Sequence, residues 1–289
     1  MKRYFFESIL IACIMAGIAC GGSASDDPDD GGDDSATDDL PDPVTDGGWY
    51  QPTAGTTWQW QLSGTVNTEY DVTVYDIDLF DNSAQTITSL LGEGRRVICY
   101  FSAGTYEDFR DDSGQFPGDV LGNPLDDFPD ERWLDIRSEE VFEIMLERLD
   151  VAVEKGCDGV EPDNVDGFAN DSGFDLSADD QLLFNARIAN AAHDRGLSVG
   201  LKNDLDQVAV LLTYFDFAVN EQCFEFEECE TLQPFIDADK AVFSAEYDES
   251  YVNDAEEREA ICEESLEMGL NTLILPVDLD DSFRITCEE

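Results

Sequence analysis

From Trp49 onward, short runs rich in Val, Ile, Phe and Tyr alternate with longer runs of helical spacing. That alternation limits the fold more than any other feature of the chain, because it is the pattern of parallel βα units. Strand-like runs fall at 57–61, 72–78, 96–102, 159–163, 198–203, 217–221, 241–247 and 272–277. The segments between them carry helix signals. Ser138 precedes Glu139 and Glu140, then Phe142, Met145, Leu146, Leu149 and Val153 follow at helical spacing, and Gly156 stops the run. Ser177 with Asp180 resembles a capping box, closed by Gly196; Asp204 with Gln207, and Asp254 with Glu257, repeat the device. About eight such units predict an α/β fold, a single-domain (β/α)8 TIM barrel over 48–289. A doubly wound open sheet is the alternative, but no Gly-rich phosphate loop follows the first strand.

Two segments precede this domain. Residues 1–20 read as a signal peptide: Met1-Lys2-Arg3 is basic, Ile9 to Ala19 is apolar, and Cys20 follows. The stretch resembles a bacterial lipoprotein signal, with Cys20 as the lipidated residue and Gly17 where leucine is usual. An exported protein is expected, either secreted or held at the outer surface or in the periplasm as a lipoprotein, with the lipid as its one membrane contact. Residues 21–47 are nearly all Asp, Gly, Ser, Pro and Thr, too polar to build a core, and read as a disordered acidic linker.

Charge narrows the partners. Asp and Glu number 67 against 15 Lys and Arg, a net charge of −52. Nucleic acid is excluded, since phosphate recognition needs a basic face. An acidic field favours a polycation, although lysine scarcity across the whole chain points first to a high-salt medium. The protein is expected to be a monomer.

Six cysteines lie beyond the signal region, an even number that suggests disulfides in an exported chain. Cys223 and Cys229 flank a short loop. On the barrel reading, Cys99 and Cys157 sit on neighbouring elements, and Cys262 with Cys287 ties the last helix to the C-terminus. Spacing alone leaves the connectivity open.

Polar residues collect at the C-terminal ends of the strands, where buried parallel strands should be apolar. They are Trp60, Asp76, Asp78, Tyr100, Glu161, Asp163, Lys202, Asn203, Glu221 and Glu246. Asp163 stands just past Pro162 in a run of four carboxylates. The long insertion after the third strand carries Tyr106, Phe109 and Phe116, which either line a cleft or form a local core. The one histidine, His193, reads as a helix-surface residue. This disfavours Ser-His-Asp hydrolysis and histidine-rich zinc sites. An EF-hand fails on spacing, so neither metal nor cofactor is expected. Carboxylate chemistry remains, and paired carboxyls across a cleft are what glycosidic cleavage needs.

The segments VYDIDLFD, RVICYFSAGTYEDFR, ERWLDIR, GCDGVEPDNVDGF, GLSVGLKND and FAVNEQC resemble glycoside hydrolase family 114. The resemblance implies a (β/α)8 barrel and a retaining endo-glycosidase acting on α-1,4-linked galactosamine-containing polysaccharide. It implies catalytic carboxylates after the fourth and sixth strands. These match Asp163, as nucleophile, and Glu221, as acid/base. Trp60, Asp78, Tyr100, Lys202, Asn203 and Glu246 are then candidate substrate contacts, Lys202 doubling as counter-charge to Asp163. A non-catalytic carbohydrate-binding lipoprotein on the same barrel, or a glycosidase of another linkage, are the alternatives.

Overall fold

The computed structural model describes residues 40–126 and 128–287. The signal segment, the lipidation candidate Cys20 and the linker up to residue 39 lie outside the described residues. Eight parallel strands follow one another around a curled sheet in chain order. They are β1 Trp58–Gln61, β2 Val74–Asp78, β3 Arg96–Ser102 and β4 Gly159–Asp163, then β5 Ser198–Lys202, β6 Phe217–Glu221, β7 Val242–Glu246 and β8 Asn271–Ile274. Each is the strand expected from the sequence, to within three residues at its ends. This order and the single direction are those of a TIM-like barrel. A ninth short strand, Ile285–Thr286, runs antiparallel to β8. Strands β1 and β8 share no ladder; just past their ends the Leu62 and Ser63 N–H groups both donate to Leu279 O at 3.1 Å, and along the seam Trp58 Nε1 donates to Asn271 O at 2.8 Å and Arg284 to Trp58 O at 2.8 Å.

The helices cover the outside: α1 Ala84–Gly92, α2 Glu139–Lys155, α3 Ala178–Asp194, α4 Val208–Leu211, α5 Gln233–Asp237, α6 Glu249–Asn253 and α7 Ala255–Met268. Helix α2 starts where Ser138 accepts from the Val141 N–H and ends at Gly156, whose φ of 87° suits glycine. The Ser177–Asp180 capping box is present in full. Asp254 caps α7 through the Glu256 and Glu257 N–H groups. Asp204 does not cap: it is left-handed, and its carboxylate accepts from Asn185 Nδ2 at 2.8 Å instead.

The two-residue period of the strands splits the core. Inward side chains, including Trp58, Trp60, Val74, Ile98, Phe217, Val219, Phe243, Ala245 and Leu273, form one cluster. Outward ones, including Tyr75, Ile77, Val97, Phe101, Val160, Leu201 and Val242, pack on the helices. All three expected disulfides are present: Cys99–Cys157, Cys223–Cys229 and Cys262–Cys287.

Residues 40–47, expected in the linker, lie against the strand N-terminal side. Tyr214 donates to Pro41 O at 2.6 Å, and Val44 N–H to Asn190 Oδ1 at 2.8 Å. His193 is not on the surface. It is buried, bonded through Nε2 to Asp216 Oδ2 at 2.9 Å and stacked on Trp49 at 4.0 Å. The apolar face it needed came from the N-terminal segment, which helical periodicity within α3 does not reveal.

Candidate active site

Three consecutive strands end in left-handed residues other than glycine. Asn164 (φ 59°) follows β4, Asn203 and Asp204 (φ 48° and 47°) follow β5, and Gln222 (φ 64°) follows β6. Such backbone is tolerated best by Asn and Asp and concentrates at functional sites. These turns fix the last inward side chain of each strand: Asp163, Lys202 and Glu221. The Asp163 carbonyl is gripped by the N–H groups of Ala103 and Gly104. Gly104 has to be glycine, because a Cβ there would lie 1.7 Å from Asn164 O.

Lys202 organises the centre. Its buried ammonium lies 3.0 Å from Asp163 Oδ1, 3.2 Å from Glu221 Oε2 and 3.3 Å from Glu161 Oε1. Burial alone would depress its pKa, but Asp163, Glu221 and Glu161 outweigh that and raise it well above the usual lysine range. Because one nitrogen touches both carboxylates, those two oxygens are separated by no more than the sum of the contacts, 6.2 Å. Asp163 also accepts from Tyr100 Oη at 2.8 Å and from its neighbour Asn164 N–H at 2.7 Å. Glu221 accepts from Tyr247 Oη and, at 3.5 Å, from Asn203 Nδ2; Asn203 Oδ1 holds the Glu221 N–H at 3.0 Å. Burial and the facing carboxylate push both phenols well above their ordinary range, so Tyr100 and Tyr247 stay protonated donors.

Asp163 and Glu221 open into a cleft of about 640 Å³ at the C-terminal end of the strands. Trp60, Asp78, Tyr100, Lys202 and Asn203 line it too, so most of the expected site residues converge. Their roles differ. Trp60 is a covered floor: Nε1 donates to Glu161 Oε2 at 3.1 Å, and Lys202 Nζ sits 4.9 Å above the ring. Asp78 is occupied. Arg110 takes both of its oxygens, at 3.1 and 2.6 Å, and the Phe80 and Asp81 N–H groups take Oδ1 again. Asp78 therefore braces the cleft wall and has little left for a sugar. Glu246 is a correction. It is fully buried, accepts from the Phe224 N–H at 2.9 Å and does not line the cleft. The register pairs Glu221 with Ala245, so residue 245 faces inward with it, residue 246 faces the helices and Tyr247 faces the centre.

Tyr247 was within the expected strand but carried no expected role; counting by two from the inward Phe243 would have found it. Arg110 was also missed, since its pairing spans from the insertion to β2. Of the insertion's aromatics, Phe109 is exposed and lines the cleft, whereas Tyr106 and Phe116 pack edge-to-face at 5.6 Å as a local core. At the end of the eighth strand, Val277, Asp278 and Leu279 complete the wall. Among the described residues no group of His, Cys, Asp or Glu is arranged to hold a metal ion.

The fold matches solved structures. The chain is similar to Ega3 of Aspergillus fumigatus, crystallised in complex with galactosamine. The identity is 42% and the TM-score 0.80, over 86% of this chain and 100% of that one. It shares its fold, at 11% identity and TM-score 0.62, with the glycoside hydrolase domain of PelA from Pseudomonas aeruginosa, covering 81% of this chain and 98% of that one. An α-galactosidase from Thermus thermophilus shares it more distantly, at 14% identity and TM-score 0.54, over 77% and 58% of the respective chains. No curated protein sequence matches the chain. The profile of glycoside hydrolase family GH114 matches residues 41–289, and with paired carboxylates at the mouth of the sheet the chain belongs to that family of glycoside hydrolases.

Proposed function

We propose that the protein hydrolyses α-1,4-linked galactosamine-containing polysaccharide with retention of configuration, Asp163 acting as nucleophile and Glu221 as acid/base. The observation that carries this reading is the Lys202 ammonium shared by both carboxylates, which keeps their facing oxygens, Asp163 Oδ1 and Glu221 Oε2, within 6.2 Å of each other. Retaining enzymes hold the two carboxyl groups about 5–5.5 Å apart and inverting ones about 6.5–9.5 Å. In the first step an Asp163 oxygen bonds to the anomeric carbon, the glycosidic C–O bond breaks, and the departing oxygen takes the Glu221 proton. In the second, water gives its proton to Glu221 while its oxygen replaces Asp163 on that carbon. Charge thus leaves Asp163 as it arrives on Glu221. Lys202, in contact with both, can follow it without moving.

Ega3's galactosamine complex and the charge of this chain support that substrate. Free amino groups make such a polymer cationic. Asp163 and Asp166 face it from the 640 Å³ cleft, and a second depression of about 330 Å³ continues beyond Glu221 and Asn203 past Asp206, Glu228 and exposed Phe226. A groove open on both sides of the carboxylates suits cleavage within a chain. The three disulfides support export to an oxidising compartment; lipidation of Cys20 belongs to the same proposal.

The test is digestion of amino-sugar polymers with product anomers followed by NMR. An α product at first appearance is expected. Glu221→Gln should lower kcat by about 10²–10⁴-fold, the usual range for a general acid, and Asp163→Asn by at least as much, with the thermal melt retained. A β product would overturn retention. Polymer held by the protein with no new reducing ends would make it a binding protein.

A further inference from the structure

Asp76 lies on β2 in the inward row, beside Trp60 of β1 in register, and is completely buried. It does not line the cleft, so it is outside the reach of substrate. Among the described residues, no N–H group and no hydroxyl donates to either of its oxygens. The group that acts on it most strongly is another inward-facing, fully buried acid, Glu161. Two carboxyl groups can bond to each other only if one carries a proton. An ionised Asp76 would be a dry charge with no donor, the costliest arrangement available to it.

We propose that Asp76 is a positioning residue: as an un-ionised acid it donates to Glu161, and so holds Glu161 as the fixed anchor that keeps the Lys202 ammonium between Asp163 and Glu221. Glu161 is then fastened on three sides, by Asp76, by Trp60 Nε1 at 3.1 Å and by Lys202 at 3.3 Å. The proton has a physical reason to stay. Burial, then the charge of Glu161, raises Asp76 well above the usual carboxyl range, with Lys202 opposing and Asp163 assisting. Burial likewise pushes Glu161 up to about 7, against the pull of Lys202 and with Asp163 and Glu221 adding to it. Without the shared proton, two bare carboxylates would face each other under Lys202 and drive its support apart.

This inference rests on the proposed two-carboxylate reaction, and conservative rescue separates it from a purely structural role. In the full-length protein, Asp76→Asn supplies an N–H in place of the O–H, and should keep kcat within about tenfold of wild type, a loss of less than about 1.4 kcal/mol. Asp76→Leu offers no donor and should lose about 10²-fold, the cost of small misplacements of catalytic groups. The alkaline limb of the kcat profile should extend to higher pH in Asp76→Asn, because an amide N–H is not lost as the shared proton is. An infrared difference spectrum, wild type minus Asp76→Asn at neutral pH, should show the C=O stretch of a protonated carboxyl. Absence of that band, or an Asn variant as impaired as the Leu variant while still folded, would overturn the proposal. If Asp76→Leu does not fold, the limb and the band decide. If the wild type cleaves no polymer, the reaction fails while the band still tests the shared proton.

Discussion

Asp204 shows how one residue in this fold carries opposed demands. It is left-handed, buried and bonded to Asn185, and burial, helped by Asp166, lifts its pKa to about 8. The folded chain therefore binds this proton more tightly than the unfolded chain does. Its stabilising contribution is complete below the ordinary aspartate pKa and is lost as pH rises toward and through 8. Asp204→Asn keeps an acceptor for Asn185, suits the left-handed backbone and cannot ionise. Thermal melts at pH 9 should place the variant above wild type, and the gap should close by pH 4; an unchanged gap would remove Asp204 from the pH response. At this scale Asp163 and Glu221 were legible as two among the polar residues at strand ends, and the resemblance to family 114 singled out the pair. Glu246 was misplaced because charge was weighed ahead of parity: a one-residue shift changes the face, and the inward partner of Glu221 is the less conspicuous Tyr247. Asp76 was visible but without a role, since a proton shared with Glu161 is a property of two strands and of neither alone.

Among the elements, the strands were readable from sequence and the insertion was not. Eight apolar runs with β-branched residues define β1–β8, whereas 105–134 folds into a small antiparallel sheet of three short strands that local patterning did not announce. That sheet is held from below by buried ion pairs, Arg110 to Asp78 and Glu107, and Arg148 to Asp112. Disulfides act at the same scale. Cys99–Cys157 joins residues 58 apart and Cys223–Cys229 residues 6 apart. Loop-closure entropy gives about 4 kcal/mol for the longer and about 2 kcal/mol for the shorter. Replacing both members of each pair by serine should therefore lower the melting temperature more for Cys99–Cys157; burial does not separate the pairs, since Cys99 and Cys223 are equally buried. Equal losses in differential scanning calorimetry would mean that the chain-entropy account does not hold here.

For the whole molecule, acidic side chains outnumber basic ones by 67 to 15. A net −52 on 289 residues repels itself across the surface, and salt shortens the reach of that repulsion to about 8–10 Å near physiological strength and about 3 Å at 1 M. Melting temperature should rise as sodium chloride goes from dilute buffer to molar concentration. Affinity for a cationic polymer should fall over the same range, because its attraction is screened too. A melting temperature indifferent to salt would show that acidic side chains are already spaced widely enough to ignore one another.

The seam between β1 and β8 bears on what the last residues are for. Where every other pair of neighbouring strands is laced by a main-chain ladder, this one has two main-chain bonds past the strand ends, from Leu62 and Ser63 to Leu279 O, and otherwise relies on the indole of Trp58, the guanidinium of Arg284 and the added strand Ile285–Thr286, stapled by Cys262–Cys287. The C-terminal residues therefore act as a keystone. A chain cut short before Arg284 would present the bare flank of β8 to other molecules, and strands left open in that way recruit one another into aggregates.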